Sequence, residues 1–444
     1  MPITSRIALP RPKVTIGLIA INILVFAAMT LSGTSLISPT SADLLKWGAN
    51  WGPQTLGAQP WRALTSNYVH IGLLHILLNM WCLWNLGFLA ERVFGRITFL
   101  LVYTVCGLSG SVASLWWHPM VVGAGASGAI FGIAGALITA LYLGKLPVSR
   151  EALRPTLKSL VTFAVYNLFI GAASGLVDNS AHIGGMLMGL ALGAVLGRIL
   201  MEEPVRRKTA ETFLFLVATA ALLGCGLLVR QSRGEVVALW KGTEALQKRS
   251  PDEAIHYLEP VASAHPGNTR ALVLLGRAYI EKKDYAKAEA ALTRAQTSHP
   301  DDLGARYALG ILYLATQRWE AAREVFARVT REVPKDEDSW ILLGNSLDGL
   351  GREQEAIRAY QHCLELNPKN PDAYTELGLT QLKLQQTDAA IQSLRQATEL
   401  NPNRIRAQHA LGMAFLAAGR RDEAEAAFQK AERLKASGGF SDEE

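Results

Sequence analysis

The sequence predicts an all-α protein: a polytopic membrane helix bundle followed by an α-solenoid of helical repeats. Two observations predict this fold class. Seven apolar segments lie in the first 233 residues, and from Glu235 onward the chain repeats with a period of 34 residues. The charge divides at the same place: the chain up to Gly234 has 17 Lys and Arg against 7 Asp and Glu, whereas the remainder has 27 against 31.

The excess of positive charge lies in the apolar half, so it indicates membrane topology rather than a nucleic-acid-binding surface. The four cysteines are too few for a disulfide scaffold, and three of them, Cys82, Cys106 and Cys225, lie within apolar segments. The composition therefore excludes a purely soluble globular protein.

Each apolar segment approaches the roughly 20 residues that a membrane-spanning helix needs. The seven are Val14–Leu31, Ile71–Ala90, Ile97–Trp116, Ser127–Leu143, Leu157–Gly175, Ala181–Leu200 and Thr212–Val229. The first is longer than the core of a signal peptide and is interpreted as a retained anchor. We predict a cytoplasmic N-terminal segment (1–13), a six-span core (14–200), and a connector with a seventh span (201–233).

Lys and Arg in the short connections predict the orientation, because cytoplasmic loops are enriched in them. With a cytoplasmic N-terminus, thirteen lie inside and four outside. The inner ones are Arg6, Arg11, Lys13, Arg92, Arg96, Lys145, Arg150, Arg154, Lys158, Arg198, Arg206, Arg207 and Lys208, and the outer ones are Lys46, Arg62, Arg230 and Arg233. This predicts a multi-pass protein of the plasma (inner) membrane with extracytoplasmic repeats, an orientation that depends on the seventh span.

Three ladders of residues share the 34-residue period. They are Gly242, Gly276, Gly310, Gly344, Gly378 and Gly412; Ala254, Ala288, Ala322, Ala356, Ala390 and Ala424; and Pro266, Pro300, Pro334, Pro368 and Pro402. Small residues let helices approach closely, and each proline ends a helix. Bulky residues recur in the same register at Leu258, Leu292, Phe326, Tyr360, Leu394 and Phe428. The pattern resembles the tetratricopeptide repeat, with six units over 235–437 and a polar tail at 438–444.

The first repeat departs most from the pattern, with Ala238 and Lys241 where later units have a large residue and a leucine. A weak terminal unit is expected of a cap. Cys363 fills a position that alanine takes in other units, which favours a structural interpretation over a redox role. The inner register has no repeated Lys and Asn pattern for a C-terminal carboxylate, so the identity of the expected peptide or protein ligand stays open.

Polar residues inside membrane helices are costly and therefore point to function. Three clusters stand out: His70 to Asn79, which includes His75, the glycine-rich stretch around Ser127, and the stretch from Asp178 that contains His182. Singly, each has an ordinary structural explanation, since serine can bond its own backbone and glycines can pack helices. Two small-residue stripes, if they face each other, would bring the hydroxyl to the imidazole; they are Gly128, Gly132 and Gly135, and Gly185, Gly189 and Gly193.

These residues resemble the rhomboid family of intramembrane serine proteases over about residues 11–200. The matching motifs are Trp61-Arg62, the His-x4-His-x3-Asn of 70–79, the Gly-x-Ser-Gly of 125–128 and the Ala-His-x-x-Gly of 181–185. The resemblance implies that Ser127 is the nucleophile and His182 the general base, a dyad without a carboxylate.

The same resemblance implies that His75, Asn79 and the backbone N–H of Ser127 form the oxyanion hole, and that an aromatic at Phe131 stacks on the catalytic imidazole. The positive end of the fourth helix dipole agrees with this arrangement. The supporting residues are His70, Gly125, Gly128, Phe131, Gly185, Trp61 and Arg62.

Asp178 is a candidate third catalytic residue, but an N-cap of the sixth helix is the favoured interpretation. His118 in the third loop has a weak claim. The sequence has no His-Glu-x-x-His and no Cys-x-x-Cys, so we predict neither a metal site nor a cofactor. Trp47 and Trp51 in the first outer loop are equally well explained as membrane-interface anchors.

The leading hypothesis is a protease that cleaves membrane-anchored substrates at or near the outer membrane surface. The alternative is a catalytically silent membrane scaffold that acts through its repeats, whereas a transporter or channel would require more intramembrane charge. Expected partners are transmembrane protein substrates, the lipid bilayer and a ligand of the repeats, with no nucleic acid. Association with further copies of the chain stays open.

Overall fold

The computed structural model describes residues 12–144, 149–174 and 178–437. The predicted polar tail, most of the predicted N-terminal segment and Lys145 lie outside the described residues. The chain divides into two compact units, Met1–Trp240 and Lys241–Glu444. In the described residues all regular structure is helical, and the extended pairing is limited to an isolated bridge between Asn50 and Gly123.

A helix lies at each of the seven predicted apolar segments. The helices are α1 (Lys13–Leu31), α2 (Ser41–Lys46), α3 (Gly52–Thr55), α4 (Arg62–Thr65), α5 (Leu73–Phe94), α6 (Arg96–Trp117), α7 (Ser127–Leu143), α8 (Arg150–Ser174), α9 (Asn179–Ile199) and α10 (Pro204–Ser232). A 3₁₀ turn, Ser66–Tyr68, follows α4. Helices α2 to α4 lie in the long loop between α1 and α5.

Six of these helices, α1, α5, α6, α8, α9 and α10, are long and apolar enough to cross a membrane. The remaining one, α7, has 17 residues. At 1.5 Å per residue it is about 25 Å long, somewhat shorter than a hydrocarbon core of about 30 Å.

Helix α7 is the core of the bundle. Every residue from Gly128 to Leu137 is buried, and α5, α6, α8 and α9 all contact this helix. A helix that is apolar on all sides must be surrounded by other helices, and α7 meets that requirement. The outer helices α8 and α10 are mostly exposed, as expected for surfaces that face lipid.

Helix α1 is capped by a side chain from α5. Glu91 accepts hydrogen bonds from the backbone N–H of Val14 (3.1 Å) and Thr15 (2.8 Å), and from the hydroxyl of Thr15 (2.8 Å). The residue before the helix, Pro12, makes no side-chain cap. Glu91 therefore satisfies donors that a helix N-terminus leaves unpaired.

The seventh predicted span, α10, packs against α6 and α9. Arg207 at its start donates to the carbonyl of Phe94 (2.8 Å) and pairs with Glu211 (2.8 Å). Glu211 in turn accepts from the hydroxyl of Thr98 on α6 (3.0 Å). This polar network and a buried apolar face fix α10 to the bundle.

The helices from α11 onward form pairs, and α11 begins in the first unit and ends in the second. They are α11 (Gly234–Gln247), α12 (Pro251–Ala264), α13 (Thr269–Glu281), α14 (Tyr285–Ser298), α15 (Leu303–Ala315), α16 (Trp319–Glu332), α17 (Glu337–Gly349), α18 (Glu353–Leu366), α19 (Pro371–Lys383), α20 (Thr387–Leu400), α21 (Ile405–Ala417) and α22 (Arg421–Ala436).

The ladders lie where the paired helices touch. A Cβ added to each ladder glycine would lie under 3.0 Å from the bulky side chain 16 residues later, as for Gly276 and Leu292. Every ladder alanine is at most 2% exposed. Cys363 is fully buried, and burial raises the pKa of its thiol to about 12, so the structural interpretation of this cysteine is confirmed.

Candidate active site

Ser127 and His182 lie together at the first turns of two helices. The Nε2 atom of His182 is 2.9 Å from the Oγ atom of Ser127. Ser127 is the first residue of α7, and His182 is the fourth residue of α9. A hydroxyl at this distance from an imidazole can pass its proton to the ring, which is the geometry that nucleophilic serine chemistry requires.

Glycines bring the two helices close enough for this contact. A Cβ on Gly185 would lie well under 3.0 Å from the carbonyl oxygen of Gly128, and one on Gly189 would meet the carbonyl oxygen of Gly132. A Cβ on Gly193 would meet Ala136 in the same way. The two small-residue stripes therefore face each other, and backbone packs directly on backbone.

The imidazole of His182 is held flat against an aromatic ring. Its centroid is 4.2 Å from that of Phe131, with an angle of 8° between the planes. Phe131 is one turn after Ser127 on α7 and is itself buried. Stacking fixes the rotation of the histidine ring and keeps Nε2 directed at the serine.

Asp178 caps α9 rather than forming a triad. Its carboxylate accepts from the backbone N–H of Ser180 (3.0 Å) and from the hydroxyl of the same residue. In the described part of the chain, Nδ1 of His182 is a buried atom without a hydrogen-bond partner. The predicted N-cap role of Asp178 is confirmed.

His75 lies beside the turn that leads into α7. Its Nδ1 accepts from the backbone N–H of Ile71 (3.2 Å), so a neutral ring carries its proton on Nε2. A Cβ on Gly125 would lie 2.6 Å from Cε1 and 3.0 Å from Nε2 of this ring. Gly125 also has a φ of +131°, which only glycine adopts readily, so the ring and the backbone both require glycine here.

Asn79 lies one turn after His75, on the same face of α5, and is buried. Its Nδ2 donates to the carbonyl of His75 (2.8 Å), within its own helix. One of its two amide hydrogens is therefore engaged locally, and the other is available for the site.

His70 is fully buried beside the same ring. The centroids of His70 and His75 are 5.3 Å apart. His70 immediately precedes Ile71, whose N–H orients His75. The structure thus places His70 behind His75 rather than next to Ser127.

The chain matches two kinds of known protein domain. The Rhomboid domain family matches residues 57–199, and tetratricopeptide repeat families match 245–302, 282–345, 349–411 and 405–437. Rhomboid protease GluP of Bacillus subtilis (strain 168) is 32% identical over 285 residues, which are 64% of this chain and 54% of that protein. RHOMBOID-like protein 2 of Arabidopsis thaliana is 33% identical over 228 residues, which are 49% of this chain and 69% of that protein.

The chain belongs to the rhomboid family. It spans about half the length of the first relatives it matches, 54% of the Bacillus protein and 55% of RHOMBOID-like protein 6, mitochondrial, of Arabidopsis thaliana. A solved thermophilic TPR protein of Thermus thermophilus is 23% identical and covers 38% of this chain and 96% of that chain, with a TM-score of 0.35. This rhomboid is a multi-pass membrane protein with tetratricopeptide repeats.

Two predicted supporting residues of the rhomboid domain, Trp61 and Arg62, lie in the loop between α1 and α5. Arg62 is buried and, among the described residues, donates to the carbonyls of Leu45 (2.7 Å) and Ala49 (3.2 Å) and to the side chain of Gln59. The ring of Trp61 is half exposed, 4.8 Å from the guanidinium. Arg62 therefore fixes the loop from within and does not contact Ser127 or His182 through these bonds.

The sequence did not predict the backbone hydrogen bonds between this loop and residues 123–125, which lead into α7. Asn50 and Gly123 exchange two backbone hydrogen bonds of 2.8 Å, and the N–H of Gly125 donates to the carbonyl of Ser66 (2.9 Å). The only sequence signal was a glycine in the Gly-x-Ser-Gly motif. Trp47 packs on the buried loop residue Leu44 and its neighbours.

His118, for which the sequence gave a weak claim, is exposed at the end of α6. In residues 12–144, 149–174 and 178–437 no group of three His, Cys, Asp or Glu side chains comes together in a way that could hold a metal ion.

Proposed function

We propose that this rhomboid is an intramembrane serine protease that cleaves membrane-anchored proteins at or near the extracytoplasmic surface through a Ser127–His182 dyad. The observation that carries the proposal is the 2.9 Å separation of His182 Nε2 and Ser127 Oγ, with the imidazole stacked on Phe131. The names of the relatives Rhomboid protease GluP and Rhomboid protease AarA support the same reaction class.

In the proposed reaction Ser127 Oγ attacks the carbonyl carbon of the scissile peptide bond, and its proton passes to His182 Nε2. The protonated imidazole then gives that proton to the leaving amine, and a water molecule hydrolyses the acyl-enzyme by the same route. Among the described residues no carboxylate bonds Nδ1 of His182, so the stacking on Phe131 does the orienting that an aspartate does in a triad.

The proposed oxyanion hole consists of the Nε2–H of His75, the amide of Asn79 and the backbone N–H of Ser127. The tautomer of His75 supports its role, because the bond from Ile71 leaves the proton on the nitrogen that faces Gly125. Removing one such donor costs roughly 10²–10³ in rate. Asn79 already donates one hydrogen to its own helix, so we expect His75→Ala to cost more than Asn79→Ala.

Labelling with a fluorophosphonate probe tests the proposal without knowledge of the substrate. Purified full-length protein in lipid should label, and Ser127→Ala and His182→Ala should abolish labelling. Ser38→Ala is the matched control, because this exposed serine of the outer loop carries an ordinary hydroxyl. Absence of labelling in folded wild type, together with no cleavage of a single-span test substrate, would contradict the protease and favour a silent scaffold.

The proposed orientation rests on the Lys and Arg distribution and on the seventh helix α10. Single cysteines tested with a membrane-impermeant maleimide in intact cells distinguish the two sides. Lys283→Cys, at an exposed turn of the repeats, should label, whereas Lys208→Cys, near the start of α10, should not. The reverse pattern would place the repeats in the cytoplasm.

We further propose that the repeats recruit substrates or adaptors. Tetratricopeptide arrays present an extended concave surface, and such a surface next to a membrane protease raises the local concentration of whatever it binds. Deleting the repeat helices that follow α11, so that Trp240 is kept, should then raise the KM for the natural substrate and leave the labelling of Ser127 in place.

A further inference from the structure

The start of α11, within the first compact unit, packs on the loop between α1 and α5. The rings of Trp240 on α11 and Trp51 in the loop are 5.8 Å apart and nearly perpendicular. Val237, one turn earlier on α11, packs with Leu56 of the loop and with Leu115 at the end of α6. All of these residues belong to the first compact unit.

This contact accounts for the departure of the first repeat from its pattern. The pattern predicts large residues at positions 238 and 241, but the chain has Ala238 and Lys241 there. Large apolar residues stand one position earlier in each case, at Val237 and Trp240, and these two meet the loop.

The loop around Trp51 is bonded to the segment that leads into α7. The indole N–H of Trp51 donates to the carbonyl of Met120 (3.2 Å), and the N–H of Gly52 donates to the carbonyl of Pro119 (2.8 Å). Between them, Asn50 and Gly123 exchange two hydrogen bonds of 2.8 Å. Three neighbouring loop residues thus hold residues 119–123 in place.

That segment ends two residues before Gly125, whose backbone is in the left-handed region at a φ of +131°. Such a conformation persists only where the surrounding structure imposes it. Gly125 lies against the ring of His75 and two residues before Ser127. A shift of residues 119–123 therefore displaces the backbone of Gly125, two residues before the nucleophile, and with it the ring of His75 that lies against this glycine.

We propose that Trp240 is a positioning residue for the Ser127–His182 site, which acts through Trp51 and residues 119–123. This proposal rests on the proposed protease function. Trp240 is the last residue of the first compact unit, so the contact lies wholly within that unit.

The test uses the full-length protein in lipid and four variants: Trp240→Ala, Trp240→Phe, Trp51→Phe and the control Trp84→Ala. Trp84 is a half-exposed tryptophan farther along α5 that packs on Phe88. We would measure the probe-labelling rate, kcat and KM for a single-span test substrate, thermal melting, and hydrogen exchange of the amides of Asn50 and Gly123.

Trp240→Ala should lower kcat and the labelling rate about three- to tenfold with KM within about twofold, since an aromatic pair contributes on that scale. Trp240→Phe should keep most of the activity because it keeps a ring in the contact, whereas Trp51→Phe loses the indole N–H bond to Met120 and should also lower kcat. The amides of Asn50 and Gly123 should exchange faster in Trp240→Ala and in Trp51→Phe, and at the wild-type rate in Trp240→Phe and Trp84→Ala.

Wild-type labelling and wild-type exchange in a folded Trp240→Ala would overturn the positioning role, as would an equal loss in Trp84→Ala. If Trp240→Ala melts early, a folded Trp240→Phe with the same loss of kcat as the alanine variant would also overturn it. Failure of the wild type to label contradicts the protease instead, and the exchange measurement still tests the coupling because it requires no activity.

Discussion

Glycine has different partners in the two halves of this molecule. In the membrane bundle the stripe glycines of α9, Gly185, Gly189 and Gly193, face backbone atoms of α7, as Gly189 faces Gly132. In the repeats each ladder glycine faces a side chain of the following helix, as Gly276 faces Leu292. Both patterns appear in the sequence as regularly spaced glycines.

The difference follows from the solvent. Lipid offers no hydrophobic gain for bringing helices together, so α7 and α9 associate through close van der Waals contact between backbones. In water, burial of a leucine or phenylalanine stabilises each repeat, and the glycine makes the space for it. A side chain can change rotamer when its space is reduced, whereas a helix backbone must move as a whole.

Gly189→Ala should have the largest effect. Its methyl group would overlap three backbone atoms of Gly132, so α7 and α9 must separate at a cost of about 3 kcal/mol or more. Thermal melting and probe labelling should both show the loss. Gly224→Ala in α10 is the control, because its methyl group meets nothing within 4 Å, and it should melt like wild type. Equal melting temperatures of Gly189→Ala and Gly224→Ala would contradict the claim that α9 glycines are required for backbone contact.

Gly276→Ala should cost less, about 1–3 kcal/mol in the unfolding of the repeats, because its methyl group meets the flexible end of Leu292. The cost should fall when Leu292→Ala is added, and a double-mutant cycle by denaturant unfolding measures this coupling. No side-chain change can relieve Gly189→Ala in the same way. If the two changes in unfolding free energy are purely additive, the methyl group at position 276 is not in conflict with the Leu292 side chain.

Phe131→Leu and Phe326→Leu should separate chemistry from stability. Phe131 stacks on His182, so its loss should lower kcat about two- to tenfold. Phe326 packs against Gly310 in the repeats, and its loss should lower the unfolding free energy of the repeats and leave probe labelling unchanged. A loss of labelling in Phe326→Leu would mean that repeat stability itself controls the site.

The smallest effects should come from the turns between paired helices. Gln317 and Gln385 have a positive φ of 56° where the corresponding residues of other units are Gly351 and Gly419. Gln317→Gly should stabilise the repeats and Gly351→Gln should destabilise them, each by about 1 kcal/mol. Denaturant midpoints of the two variants check the sign. Opposite shifts would show that the extra freedom of glycine in the unfolded chain outweighs the strain.

The features that could be predicted from the sequence are those signalled by neighbouring residues or by a regular spacing along the chain. Helix α7 begins at Ser127 and ends at Leu143, as predicted, because an apolar run and a glycine-flanked serine are local signals. The small-residue stripes of α7 and α9 also followed from spacing, since residues three or four apart share a helix face, but the spacing left open whether the two stripes face each other. The 34-residue ladders placed every helix pair of the repeats for the same reason.

The features that the sequence did not reveal join residues far apart in the chain. Asn50 pairs with Gly123 and Trp51 packs on Trp240 without any periodic pattern to indicate it. The direction of Arg62 into its own loop was likewise undetermined, because an arginine after a tryptophan fits a lipid interface equally well. Contacts of this kind depend on how loops fold over the finished bundle.

The cap that Glu91 places on α1 has a consequence for the order of assembly. The helix needs an acceptor for its first N–H groups, and that acceptor, Glu91, lies 76 residues after Thr15 in the sequence. During synthesis from the N-terminus, α1 is complete long before α5 leaves the ribosome. The first N–H groups of α1 therefore lack this acceptor until α5 is made. Docking of α5 supplies the acceptor and attaches the start of α1 to the bundle.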